Sequence, residues 1–139
     1  MQTFNIDQEK EWNPKTHVEK ILSRLDTGGG QHADYTVACW EPGQISPYHS
    51  HPHATEIYFC FSGGGQMRLP DRTVEVKPGS FCVHPPGEMH EYINGAQRTL
   101  LFRVRHGTDM VARRIEWRGH PEFKVNAEDA EYFRKNPVG

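Results

Sequence analysis

The stretch His49–Gly65, HSHPHATEIYFCFSGGG, decides the fold. It sets three histidines and a glutamate before the apolar run Ile57–Phe61 and closes on consecutive glycines. In an extended chain, residues two apart share a face, so His49 and His51 present both imidazoles to one side and can reach a single ion. Glu56 follows across the bend Pro52-His53-Ala54-Thr55, and the extended pattern then resumes, which brings its carboxylate from an adjoining strand. If Glu56 points inward, alternation sends Tyr58 and Cys60 inward with it.

Outward from that segment, strand-like runs such as DYTVACW, TVEV, SFCVH, HEYI and TLLFRVR alternate with EPGQ, SGGG, KPG, PPGE and NGAQ. Turn residues at nearly every break predict an all-β antiparallel sandwich or barrel. Along Thr99–Arg105, Leu100, Phe102 and Val104 fall on one face, while Leu101, Arg103 and Arg105 fall on the other. The apolar set reads as core and both arginines as outward-facing, away from any role as a carboxylate clamp. Nearer the N-terminus, Val18, Ile21, Leu22 and Leu25 follow helical spacing, with a strand still open for so short a segment. Thr27–Gln31, rich in glycine, reads as a flexible loop. At the other end, Asn126 precedes AEDAEYFRKNP: an N-cap residue, acids in the first turn, bases in the last and a proline beyond predict a short C-terminal helix.

With 139 residues the chain suits one domain, with a barrel core at about 33–106, an N-terminal arm over 1–32 and a tail with the helix over 107–139. Lys and Arg total 16 against 18 Asp and Glu, so no basic face is implied, which argues against nucleic acid or an anionic membrane and for a small-molecule partner. No segment approaches a membrane span and the N-terminus has no secretory pattern, giving a cytoplasmic expectation. The cysteines Cys39, Cys60 and Cys82, odd in number and in apolar settings, read as reduced, buried thiols.

Two gapped patterns carry a resemblance. Gly43, five residues, His49-Ser50-His51, four residues, Glu56, six residues and Gly63 form the first; Gly79, five residues, Pro85-Pro86-Gly87, two residues, His90, three residues and Asn94 form the second. In this order, with fifteen residues between them, they resemble the two motifs of the cupin superfamily, in its small single-domain form. The resemblance implies a jelly-roll β-barrel of six to eight strands, pairing of two barrels as a homodimer, and one divalent metal held by His49, His51, Glu56 and His90. The stretch Cys39–His51 is also similar to the thiol dioxygenase branch, which binds iron through three histidines; retention of Glu56 favours the four-ligand oxidases, decarboxylases, lyases and isomerases instead.

Three neutral imidazoles and one carboxylate leave a divalent ion a net charge of +1, which favours an anionic substrate, with two positions open in an octahedral shell. Mixed nitrogen and oxygen ligation suits iron or manganese first, with nickel, cobalt or zinc as alternatives. The expected function is a metal-dependent enzyme, a dioxygenase or other oxygenase, acting on a small oxygen-bearing anion. A Lewis-acid lyase, isomerase or decarboxylase and a non-catalytic binding protein are the alternatives. Tyr58, Tyr92 and His84 are the candidate catalytic side chains beside the metal, each weighed against a role in the core or at its rim. His53 reads as a bystander, and His17, His32, His106 and His120 as surface residues.

Overall fold

The computed structural model describes residues 1–138. In chain order its elements are α1 (Ile6–Glu9), β1 (Val18–Gly28), β2 (Gln31–Trp40), β3 (Tyr48–Ser50), β4 (Ala54–Ser62), β5 (Gly65–Arg68), β6 (Thr73–Val76), β7 (Phe81–His84), β8 (Glu91–Asn94), β9 (Thr99–Gly107), β10 (Arg113–Glu116) and α2 (Ala127–Lys135). Antiparallel pairing builds a five-stranded sheet in the order β1-β2-β9-β4-β7, a three-stranded sheet β6-β5-β8 and the pair β10-β3. This is the jelly-roll architecture expected, mostly β with a short C-terminal helix. Among the described residues the strands number ten, above the six to eight expected, because the arm contributes β1 and the tail contributes β10.

The arm is a strand where helical spacing had suggested a helix. Between Ile21 and Ser23 the register with β2 shifts, so Leu22 is the extra residue of a bulge and the apolar positions lose strict alternation. A bulged strand thereby imitates a helical repeat. The glycine run is a tight hairpin turn, not a flexible loop: Gly28, Gly29 and Gly30 all take positive φ, and β1 pairs with β2 up to Gly28↔Gln31. At the opposite end the Asn126 side chain accepts from the Asp129 N–H at 2.7 Å, which caps α2 as expected.

The register of the large sheet sorts its inner face into layers. Cys60, Leu101 and Ala38 lie side by side across β4, β9 and β2, and with Trp40, Met67, Tyr92 and Val76 they form the buried core. Trp40 and Tyr92 meet edge to face at 4.7 Å, an arrangement that contributes about 0.5–1.5 kcal/mol beyond area burial. The next layer is Tyr58, Arg103 and Thr36, and the next His84, Glu56, Arg105 and Asp34. One end of the barrel is thus apolar and the other polar. Arg103 and Arg105 point into it, contrary to the outward reading, while Phe102 and Val104 lie on the outer face. That outer face is itself apolar, and Ile6, Trp12, Val18 and Leu22 of the arm pack over Val37, Cys39 and Leu100, so hydrophobicity alone misassigned the sides. All three cysteines are free thiols, with Cys39 and Cys60 fully buried and Cys82 partly so. Among the described residues, no helix is long and apolar enough to cross a membrane.

Candidate metal centre

His49 lies on β3, His51 just beyond it, Glu56 on β4 and His90 at the mouth of β8. His49 and His90 form an antiparallel bridge, each backbone N–H donating to the other's carbonyl, at 3.1 and 2.8 Å. The turn before His90 is tied to the first motif as well, because the Gly87 N–H donates to the His51 carbonyl at 3.0 Å. Backbone hydrogen bonds therefore join residues far apart in sequence into one constellation, and all four of its side chains are buried.

Each imidazole is oriented by a carbonyl. The Nδ1 of His49 meets the Pro47 oxygen at 2.8 Å, that of His51 the Met110 oxygen at 3.2 Å, and that of His90 the Glu88 oxygen at 3.0 Å. A carbonyl only accepts, so each Nδ1 carries the hydrogen and each neutral ring keeps its lone pair on Nε2. Two of those lone pairs meet on Glu56: His90 Nε2 is 2.7 Å from Oε1 and His51 Nε2 is 3.0 Å from Oε2. Lone pairs facing carboxylate oxygens at such distances call for a cation, and Glu56 Oε2 is a buried oxygen with no hydrogen-bond donor. Ligand atoms of His49, His51 and Glu56 lie within 4.8 Å of one another, so these residues can hold a metal ion. His90 joins them through its contact with Glu56.

Electrostatics fit the same arrangement. Burial, then the nearby His90 and His51, push His49 well below the ordinary imidazole range and keep it neutral. Burial works to raise Glu56, yet His51 and His90, when they share a proton with it, hold its carboxyl well below the usual range, so it is ionised and a metal ion can take the place of that positive charge. The donor set has the neutral nitrogens and anionic oxygen that a divalent transition metal takes.

Of the other expected site residues, His84 stacks on His90 with ring centroids 3.8 Å apart, and its Nδ1 meets Glu88 Oε1 at 2.9 Å. Burial and His90 lower its pKa, and its Nε2 is buried without a partner. Tyr58 sets its ring edge against His84 and His90; burial first, then Glu56, raises its hydroxyl well above the ordinary range, so it stays protonated. Tyr92 is differently placed: it packs in the core against Trp40, and its hydroxyl donates to Asn94 Oδ1 at 2.9 Å. His53 is exposed, as are His32 and His106.

His17 corrects the surface reading. Its ring lies flat on Trp40 at 3.9 Å, its Nε2 is 3.5 Å from Glu19, and its Nδ1 is buried without a partner. With Arg103, Arg105, Arg114 and Trp117 it walls a cavity of about 210 Å³ that opens onto His49 and His51. Sequence reasoning missed His17, Arg114, Trp117 and the Met110 carbonyl because the arm and tail reach the site only through long-range pairing. Trp117 shows how: its Nε1–H donates to the Ile45 carbonyl at 2.8 Å and draws the tail across the cavity.

Comparison with known proteins agrees with this geometry. The cupin domain family matches residues 36–104. Germin-like protein 9-2 of Oryza sativa subsp. japonica is 22% identical over 110 residues, which cover 76% of this chain and 51% of that protein. The chain thus spans about half the length of that curated relative. A double-stranded β-helix protein from Klebsiella pneumoniae superposes with a TM-score of 0.74 at 18% identity, covering 84% of this chain and 98% of the other. An RmlC-like cupin from Desulfovibrio desulfuricans gives 0.63 at 15% identity, with 78% and 97% covered. Recombinant oxalate oxidase in complex with glycolate gives 0.57 at 20% identity, with 80% and 58% covered. The two spaced motifs, the barrel they close and these likenesses together establish that the chain belongs to the cupin family.

Proposed function

We propose that this protein is a metal-dependent enzyme of the oxidoreductase class that acts on a small, oxygen-bearing anion. His49, His51, Glu56 and His90 would hold one divalent ion, iron or manganese. The observation that carries the reading is the convergence of the His51 and His90 Nε2 atoms on a buried carboxylate with an unpaired oxygen, with a ligand atom of His49 within 4.8 Å of those of His51 and Glu56 and all three tautomers set by backbone carbonyls. When bound, such an ion supplies Lewis acidity and a redox couple to a chelating substrate. The structural likeness to oxalate oxidase with glycolate supports a small oxygen-rich anion as the kind of molecule taken.

The chain's own side chains do the rest. The carbonyls of Pro47, Met110 and Glu88 fix the ring orientations before any ligand arrives, so little reorganisation accompanies binding. Tyr58, held protonated, is the hydrogen-bond donor of this reading. His84, neutral and with Nε2 unpaired while Glu88 occupies Nδ1, is the proton acceptor. Tyr92 has no part in it, since its hydroxyl is committed to Asn94.

Elemental analysis beside a His51→Ala control, followed by oxygen uptake of the iron- or manganese-loaded protein with hydroxy acids, keto acids, diketones and catechols, tests the reading. One equivalent of metal, lost in the control, and substrate-dependent oxygen uptake are expected. Turnover that persists anaerobically with nickel or zinc would replace oxidative chemistry with lyase or isomerase chemistry. No metal uptake under any loading condition would overturn the metal centre.

A further inference from the structure

Arg103 is 1% exposed, an unusual depth for a guanidinium, and its partners do not account for all of its donors. Its Nη1 is 2.7 Å from Glu19 and its Nη2 donates to Thr36 Oγ1 at 3.1 Å, while Nε is buried with no acceptor in the protein. Two residues along the same face of β9, Arg105 pairs with Asp34 at 3.1 Å and places its Nε 3.9 Å from Glu56 Oε2. Arg105 therefore reaches both Glu56 and the cavity wall. Arg114 adds a third guanidinium to the wall. Glu19, Asp34 and Glu56 balance the three guanidiniums, so what the wall lacks is an acceptor for Arg103 Nε. An unsatisfied buried donor is costly, and an oxygen of a bound anion relieves it.

We propose that Arg103 and Arg105 receive the carboxylate of the substrate, which is a small carboxylic acid bearing a second oxygen within reach of the metal ligands. This rests on the metal-enzyme reading for the second oxygen, but not for the carboxylate. The cavity of about 210 Å³ limits the molecule's size. It has room for about seven waters at their liquid volume, well below the roughly 300–1,000 Å³ of pockets that take drug-sized ligands. Guanidinium forks suit the flat, two-oxygen geometry of a carboxylate better than they suit a neutral amide or alcohol.

The test is calorimetric titration of the metal-free and the Mn(II)-loaded protein with glycolate, lactate, pyruvate and malonate, each beside its neutral amide. Carboxylates are expected to bind at least tenfold more tightly than amides in both forms. Arg103→Lys, which keeps the charge against Glu19 but loses the fork, should weaken them tenfold or more with the circular dichroism spectrum and metal content unchanged. Ala112→Phe, which fills the cavity while leaving every candidate ligand and arginine in the sequence, should abolish binding. Amides binding as well as acids, or an Arg103→Lys protein that binds acids unaltered, would overturn the proposal. Failure to take up Mn(II) would count against the metal centre alone, because discrimination by Arg103 is read in the metal-free protein too.

Discussion

His49 and His90 face each other across an antiparallel bridge, with both backbone hydrogen bonds exchanged and ring centroids 4.5 Å apart. Their imidazoles cannot be placed independently: whatever positions β3 also positions the entry to β8. The second motif thus reaches the first by strand pairing, and the candidate metal site is coupled to closure of the barrel.

That coupling makes Glu56 the most informative single change. It touches both His51 and His90, and it is the one anionic donor of the set. Glu56→Gln keeps the shape, removes the charge and places an amide nitrogen or oxygen against Nε2 lone pairs. Metal affinity, measured by competition with a fluorescent chelator, is expected to fall by more than the roughly 10–100-fold that changes in supporting residues cost. Affinity within threefold of the parent would show that Glu56 is not a ligand.

Gly63 combines a positive φ of 79° with close packing: a Cβ there would collide with the Arg98 carbonyl and the Thr99 side chain. Gly29 has φ of 61° and open space around it. Gly63→Ala should cost at least about 2–3 kcal/mol, whereas Gly29→Ala should cost only the conformational share of about 1 kcal/mol. Equal urea midpoints for the two variants would contradict the packing argument.

These particulars show why the candidate donor residues were legible as a group and their surroundings were not. Glu56 and His90 are fixed by spacing, because turns of set length and period-two strands convert sequence distance into position. Arg103 and Arg105 lie on a strand whose two faces are both rich in apolar residues, and the face covered by the arm resembles a core face. Only the partners across the ladder, Glu56 and Asp34 for Arg105 and Tyr58 and Thr36 for Arg103, reveal the inner side. Met110 and Arg114 belong to a tail with little patterning of its own, recruited by the pairing of β10 with β3.

The thiols offer a test of the core. Burial raises the pKa of Cys39, Cys60 and Cys82, so at pH 8 each has less thiolate than an ordinary cysteine and little access to reagent. An aromatic disulfide reagent should therefore react slowly with the native protein and titrate all three cysteines in urea. Rapid reaction of Cys39 or Cys60 in the native state would mean that the strands open far more readily than their burial implies.

Asp129 links the C-terminal helix to the site. It is 3% exposed, its Oδ1 accepts from Arg113 at 3.2 Å and its Oδ2 from the Arg114 N–H at 3.2 Å, so α2 holds β10 and, through the β10–β3 pair, the strand that carries His49. Asp129→Ala leaves a partly buried guanidinium and a backbone N–H without their acceptor, at a cost of about 1–3 kcal/mol. The melting temperature should drop by roughly 4–8 °C per kcal/mol near 100 residues, and somewhat less for a chain of this length. Amide exchange of Arg113–Glu116 should accelerate more than that of β4 or β9, because the lost contacts hold β10 and not the central sheet. If β10 stays protected while the melting temperature falls, the helix stabilises the barrel by another route and Arg114 is held at the cavity without it.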